Sequence, residues 1–288
     1  MLSGTETEAA QQAAEHAEQG FDPGSSILHH ILDANEIEVF VPTLKIHLPQ
    51  LELFGVDVSI TKHVVMMWVA ALLLIGLTRV AVRQCGDPVP RGLRNAFEVL
   101  VLFIRNEVAR KSIGAGADRY VPYLLTTFFF ILSCNLLGLM PGAATATGNI
   151  SVTAALAIVA FVVIQLGGIG EHGLIRHFAN LVPHGLPFWL VPIMFVLELL
   201  STFIKPFALC IRLFANMMAG HVVILAFISL IFILGAMFSP VVGLAASPLA
   251  VFFALFVYVL EILVAFLQAY IFTMLTANFV GMSVHPAH

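Results

Sequence analysis

Between His177 and the C-terminus of this 288-residue chain only four residues are charged: Glu198, Lys205, Arg212 and Glu261. All four stand in strongly apolar surroundings, and Arg212 is the most costly. A guanidinium at mid-bilayer costs from about 3 to over 10 kcal/mol, depending on how it is measured. A leucine would pack better, so the arginine is retained for chemistry. Glu198, Lys205 and Arg212 recur at intervals of seven and share nearly one helix face. Glu198 is nevertheless roughly 21 Å from Arg212 along the axis, too far for an ion pair. If the last two apolar segments run antiparallel with His221 facing Glu261, Arg212 falls near Gln268. A neutral amide leaves its charge uncompensated. The expected partner is therefore a carboxylate on another subunit, inside the membrane. His221 and Glu261 make a second site, since an imidazole and a carboxylate in apolar helices both titrate near neutrality when their surroundings shift them. Asn216 lies one turn after Arg212 on the same face, and Gly220 permits close approach of a neighbouring helix.

Such residues need elements to hold them, and the composition says of what kind. The chain is 60% hydrophobic and 10% charged, against about 45–50% and 25% for a soluble domain. Its mean hydropathy is +0.99. This excludes a water-soluble enzyme, a disordered chain and a disulfide scaffold. The three cysteines, Cys85, Cys134 and Cys210, show no CxxC spacing and read as small buried hydrophobes.

Charge divides the chain. Residues 1–60 hold ten of the seventeen acids and one base, whereas Arg79 to Lys111 holds seven bases and three acids. Tyr120–Gly170 and Leu213–Leu260 contain no Asp, Glu, Lys or Arg at all. These runs exceed the roughly 20 apolar residues that cross a bilayer. We expect an all-α polytopic membrane protein with about five transmembrane segments. Residues 1–60 form an acidic extracytoplasmic segment, mobile over about 1–24 and with small surface elements over 25–57. Residues 61–119 carry the first span, over about 62–82, and a cytoplasmic amphipathic helix over about 91–111. Residues 120–187 form a hairpin of two spans, over about 120–140 and 150–170, and a cytoplasmic loop. Residues 188–288 form two long membrane helices. The excess of Arg after the first span puts the N-terminus outside and the C-terminus in the cytoplasm. A helix over 188–238 would measure roughly 75 Å against a hydrocarbon core of about 30 Å. Either Lys205-Pro206 breaks it into a hairpin, or both long helices are steeply tilted.

The stretches FVLELLSTFIKPFALCIRLFANMMAGHVV (195–223), EILVAFLQAYIFTMLT (261–276) and FFFILSCNLLGLMPG (128–142) with NISVTAALA (149–157) resemble subunit a of F-type ATP synthases. The similarity runs from about His63 to Phe279, and Arg-Leu-Phe-x-Asn-Met is its most specific block. The resemblance implies that Arg212 meets a ring of c subunits and deprotonates each arriving carboxylate. It implies that His221, Glu261, Asn216 and Gln268 line the proton path near it. Glu198 would belong to the cytoplasmic exit, and Asn135 and Lys205 to the channel lining. A serine position of the family near the arginine is Ala208 here. The implied partners are the c ring, the b subunits of the peripheral stalk, the remaining ATP synthase subunits and the lipid bilayer, in a bacterial inner membrane. The implied role is non-catalytic, with no cofactor, no metal and no nucleic acid. The family's last two helices are steeply tilted, which would account for their length without a hairpin.

Other readings are weaker. Gly168-Ile-Gly-Glu-His-Gly173 fits GxGxxG by letter but follows a span-length run, with no acid about 20 residues on. His29-His30, His172/His177 and His285/His288 lack the clustered ligands of a metal site and read as solvated. A secondary transporter would need internal repeats, and a haem subunit would need paired axial histidines.

Overall fold

A computed structural model of the protein describes residues 36–38, 45–47, 52–53, 56–57, 61–83, 92–140, 145–179, 187 and 189–285. The expected mobility of about 1–24 lies outside these residues. Within the acidic N-terminal segment, the expected small elements are two short antiparallel pairs. One joins β1 (Glu36–Glu38) to β2 (Lys45–His47), and the other joins β3 (Glu52–Leu53) to β4 (Val56–Asp57). All other regular structure among the described residues is helical.

Five helices are long and apolar enough to cross a membrane. They are α1 (Lys62–Arg83), α4 (Val121–Gly138), α5 (Ile150–His172), α7 (Val191–Met237) and α8 (Pro240–Val284). This is the all-α polytopic architecture expected from the charge pattern. On α1, Trp68, Leu72 and Val82 are more than half exposed. In water such a surface would lose roughly 25 cal/mol for every Å² of apolar area; in lipid the loss vanishes.

Between α1 and α4 lies the expected amphipathic helix, with a detail that hydrophobic periodicity does not reveal. Helix α2 (Leu93–Phe103) runs into a π-helical segment (Ile104–Ala109) and then α3 (Arg110–Ile113). The wide turn resets the face by one residue, so the stripe of Phe97, Val101, Ile104 and Val108 continues at Ala109 and Ile113. Val99, Leu102 and Phe103 stay exposed, so this element presents apolar surface on two sides. At its end Arg105 and Arg110 both reach Asp118, at 2.9 and 3.7 Å. The hydrogen bond from Arg105 holds the Asp118 carboxyl below the usual carboxylate range. Its small contribution to stability is present at neutral pH and is lost as pH falls through that lowered value.

The described residues form two compact units. In the larger, Ile104, Val108 and Ile113 meet Leu124 and Phe128 of α4, Ile164 of α5, Leu209 and Leu213 of α7, and Phe272 and Val280 of α8. Four positions there admit no side chain, one of them Gly220, which faces Glu261. A methyl on Gly281 would strike the carbonyl of Ser112, one on Gly168 would strike Ser283 and His177, and one on Gly138 would strike Thr145. The first glycine of the GxGxxG match, Gly168, is thus a helix-packing residue within α5. Gly281 meets backbone, which cannot rotate away. Overpacking costs about 1–3 kcal/mol, so Gly281→Val is expected to lower the amount of chain accumulating in membranes by roughly five- to a hundredfold. An immunoblot of membrane fractions measures this, and wild-type abundance would refute the contact.

The smaller unit is built from His221–Val257. Phe227 stacks on Phe253 with centroids 5.5 Å apart. A methyl on Gly243 would lie 2.7 Å from the carbonyl oxygen of Ile231, so the hairpin between α7 and α8 closes by backbone approach.

Helix α7 passes through Pro206 and α8 through Pro248 without interruption. The alternative of a hairpin at Lys205-Pro206 is therefore not adopted. At 47 and 45 residues these helices are roughly 70 Å long, more than twice the hydrocarbon thickness.

Candidate functional site

The local sequence of α7 decides where Arg212 points. Leu209, Cys210, Leu213 and Met217 are buried at 2%, 6%, 0% and 1% exposure, an i, i+4, i+8 stripe that fixes the inner face of the helix. Cys210 packs its sulfur 3.4 Å from the Thr153 hydroxyl of α5, so the cysteine is a buried hydrophobe, as is Cys134. Arg212 lies off that stripe and is exposed. Around it Ala208 and Ala215, one turn to either side, and the adjacent Ile211 are exposed too. The result is a single guanidinium on an apolar surface. Among the described residues Arg105, Arg110, Lys111 and Arg119 make ion pairs, and Arg212 makes none.

One turn on, Asn216 donates from Nδ2 to Oε1 of Gln268 at 2.7 Å. Gln268 is 1% exposed, in the buried face of α8 with Ala265, Ala269 and Phe272. The antiparallel pairing inferred from spacing is thus present, with Asn216 rather than Arg212 making the bond to Gln268. The same register carries Arg212 about one turn further, level with Phe272.

Glu261 is 4% exposed, and a methyl on Gly220 would lie 2.5 Å from its Oε1. Glycine at 220 therefore makes the room for this carboxylate. Two polar clasps bracket it on α8. Tyr258 donates its hydroxyl to the carbonyl of Leu139 at 3.2 Å. Asn135, fully buried, donates from Nδ2 to the Ala265 carbonyl at 3.2 Å and accepts from the Thr147 hydroxyl at 2.6 Å. Asn135 thus joins α4 to α8 within one turn of Glu261. His221 opens the smaller unit, half-buried on α7.

Glu198 and Lys205 lie further along α7, both half-buried. The Thr202 hydroxyl donates to the Glu198 carbonyl at 2.9 Å. Lys205 Nζ stands 5.5 Å from the centroid of the Phe279 ring, a cation–π contact with α8 that offsets part of the cost of its charge.

Two expectations on loop histidines are corrected. His172 contacts the Val284 carbonyl at 2.9 Å, and His177, 8% exposed and on the short helix α6 (Leu174–Ala179), contacts Oε1 of Gln165 at 2.8 Å. Both bind the end of α8 or α5 instead of standing in solvent, because the 171–179 segment folds back as a helix. Burial, and next the nearby His172, push the His177 imidazole below its ordinary value. Spacing in sequence also passed over His63, Thr145, Thr147 and Tyr258. Their one signal is a polar side chain at or inside an apolar run.

The sequence profile of the family described as ATP synthase A chain matches residues 64–281. The chain is 48% identical over 267 residues to "ATP synthase subunit a" of Chloroherpeton thalassium, covering 91% of this chain and 77% of that protein. It is 48% identical over 286 residues to "ATP synthase subunit a 2" of Chlorobaculum tepidum, covering 98% and 78%. Against "ATP synthase subunit a" of Anaeromyxobacter dehalogenans it is 46% identical over 310 residues, covering 96% and 77%.

Proposed function

From the fact that this chain belongs to the ATP synthase A chain family, and so to a multi-pass membrane subunit of that complex, we propose that it is the proton-conducting stator. In this reading it supplies two proton half-channels and presents Arg212 to the carboxylates of a c-subunit ring. The observation that carries it is an exposed arginine on an apolar face of α7 that makes no ion pair among the described residues.

The electrostatics give the mechanism. A proton from outside reaches Glu261 and His221 and neutralises a ring carboxylate. The neutral site can face lipid, whereas a charged one is held back by the cost of burial. When rotation brings the site to Arg212, the positive charge lowers its pKa and favours release toward the exit near Glu198. Arg212 also separates the two access paths. Each charge that crosses is driven by about 2.3 kcal/mol per 100 mV. ATP chemistry belongs to other subunits, so the role is non-catalytic. The N-terminus lies outside a bacterial inner membrane and the C-terminus in the cytoplasm, with b subunits of the stalk as further partners.

The face that carries Arg212 provides the test. Ala208, one turn before Arg212, is exposed on it. In a complex from which Cys85, Cys134 and Cys210 have been replaced, Ala208→Cys is expected to form a disulfide with a cysteine placed beside the carboxylate of the c subunit. A Leu213→Cys control on the buried face is not. Equal cross-linking at both positions, or none at 208, would remove the ring from this surface.

A further inference from the structure

Along the part of α8 that carries Glu261, the buried face is made of small side chains. Ala254 and Ala265 are buried on it, with Glu261 between them. Val259, Leu260, Ile262 and Leu263 are exposed on the other sides. Helices lock together by fitting ridges of side chains into grooves, and alanine methyls make shallow ridges. Apolar packing therefore fixes the depth of this section better than its roll about its own axis. The roll matters, because Glu261 holds its Oε1 only 2.5 Å from where a methyl on Gly220 would stand.

Two hydrogen bonds supply what the alanines do not. Leu139 is the C-cap of α4, at a helix end where carbonyls lack an N–H of their own helix to accept from. Tyr258, half-buried on α8, donates its hydroxyl to that carbonyl. Asn135 of the same α4 holds the Ala265 carbonyl, and the Thr147 hydroxyl donates to the Asn135 amide oxygen. Tyr258 stands three residues before Glu261 and Ala265 four after it, so all three share one face of α8. The two attachments are roughly 10 Å apart along the axis. A helix pinned at one point still rolls; pinned on both sides of Glu261, it does not. The other titratable groups at this end of the described chain are His221 on α7, Cys134 on α4, and Lys62 and His63 on α1; the 145–149 segment carries none.

We propose that Tyr258 is a positioning residue for proton uptake: through its bond to the end of α4 it sets the roll of α8 and keeps the Glu261 carboxylate turned onto Gly220. Tyr258 carries no proton in the transfer. The proposal rests on the reading of Glu261 as an inlet acid, and it adds the residue that aims it. A misplacement of about 1 Å at a reacting group costs up to about a hundredfold, and one neutral hydrogen bond is worth about a threefold to tenfold change.

The experiment is proton-driven ATP synthesis by the whole complex in inverted membrane vesicles, whose lumen corresponds to the outer face, with the subunit quantified by immunoblot. Tyr258→Phe removes only the hydroxyl. It is expected to accumulate normally and to synthesise ATP about fivefold to tenfold more slowly per assembled complex. Added to Glu261→Gln, it is expected to cost less than about a further twofold, because a residue that acts through the carboxylate then has nothing to aim. With the total driving force held constant by a potassium diffusion potential, the lumenal pH of half-maximal synthesis in Tyr258→Phe is expected to move by about half a unit or more, since a re-aimed carboxylate has new surroundings. A hydroxyl that merely braced the fold would slow synthesis by the same factor in both backgrounds and would leave the pH profile in place. Either of those results, a wild-type rate, or loss of the Tyr258→Phe chain from membranes would overturn the proposal. Glu261→Gln alone separates the two readings. If it works at the wild-type rate, the inlet reading fails and takes this proposal with it; if it is slow, each of those results counts against Tyr258 alone.

Discussion

ATP-driven proton pumping is expected to be lost in a complex carrying Arg212→Ala, by about a hundredfold or more. An arginine beside a carboxylate lowers its pKa by about 1–3 units, and each unit is a tenfold change in the ionised fraction at the release site. Without it, the arriving carboxylate keeps its proton and the ring has no reason to discharge. Arg212 is exposed on α7, beside and not within the buried stripe of Leu209, Leu213 and Met217. Removing its side chain therefore leaves internal packing intact, and the subunit is expected to accumulate normally. The measurement is quenching of a pH-sensitive dye in inverted vesicles, with the subunit quantified by immunoblot. Pumping at the wild-type rate would show that the guanidinium is dispensable.

Proton-driven ATP synthesis is expected to fall about tenfold to a hundredfold in Glu261→Gln, the range that follows from deleting a positioned proton donor and acceptor. Glutamine has the same shape, so the close fit against Gly220 is preserved. What it lacks is the ability to take and give a proton. Assembly should be unaffected, because the clasps at Tyr258 and Asn135 do not involve the carboxylate itself. A rate within twofold of wild type would reduce Glu261 to a packing residue.

Much of this molecule can be read from its letters, for a physical reason. Lipid removes the option of solvating a charge or an open backbone, so spans must be long, apolar and helical. That is why the charge-free runs 120–170 and 213–260 carry α4, α5 and much of α7 and α8, and why Arg212 stands out by contrast alone. The pairing of α7 with α8 was also legible, since residues about 50 apart in sequence must meet when two long helices are joined by a tight turn. Its consequence for Gln268 was not, because a shift of one helical turn gives the amide to Asn216 instead. Thr145, Thr147 and His63 stayed hidden for another reason. Their contacts span 82 residues of chain for His63 and Thr145 and 12 for Thr147 and Asn135, and no periodicity carries that information. The π turn at 104–109 is equally silent, since it differs from α-helix by a single residue.

Helix α7 also has a mechanical character set well away from Arg212. At Pro206 the missing N–H leaves the Thr202 carbonyl without its ladder partner. One turn earlier, the Thr202 hydroxyl already draws on the Glu198 carbonyl, a back-bond that slackens and bends helices. Two successive turns are thus softened, while the turns around Arg212 keep their full set of bonds. Bending under a sideways load concentrates in the flexure at 198–206, and the arginine rides on a stiff section beyond it.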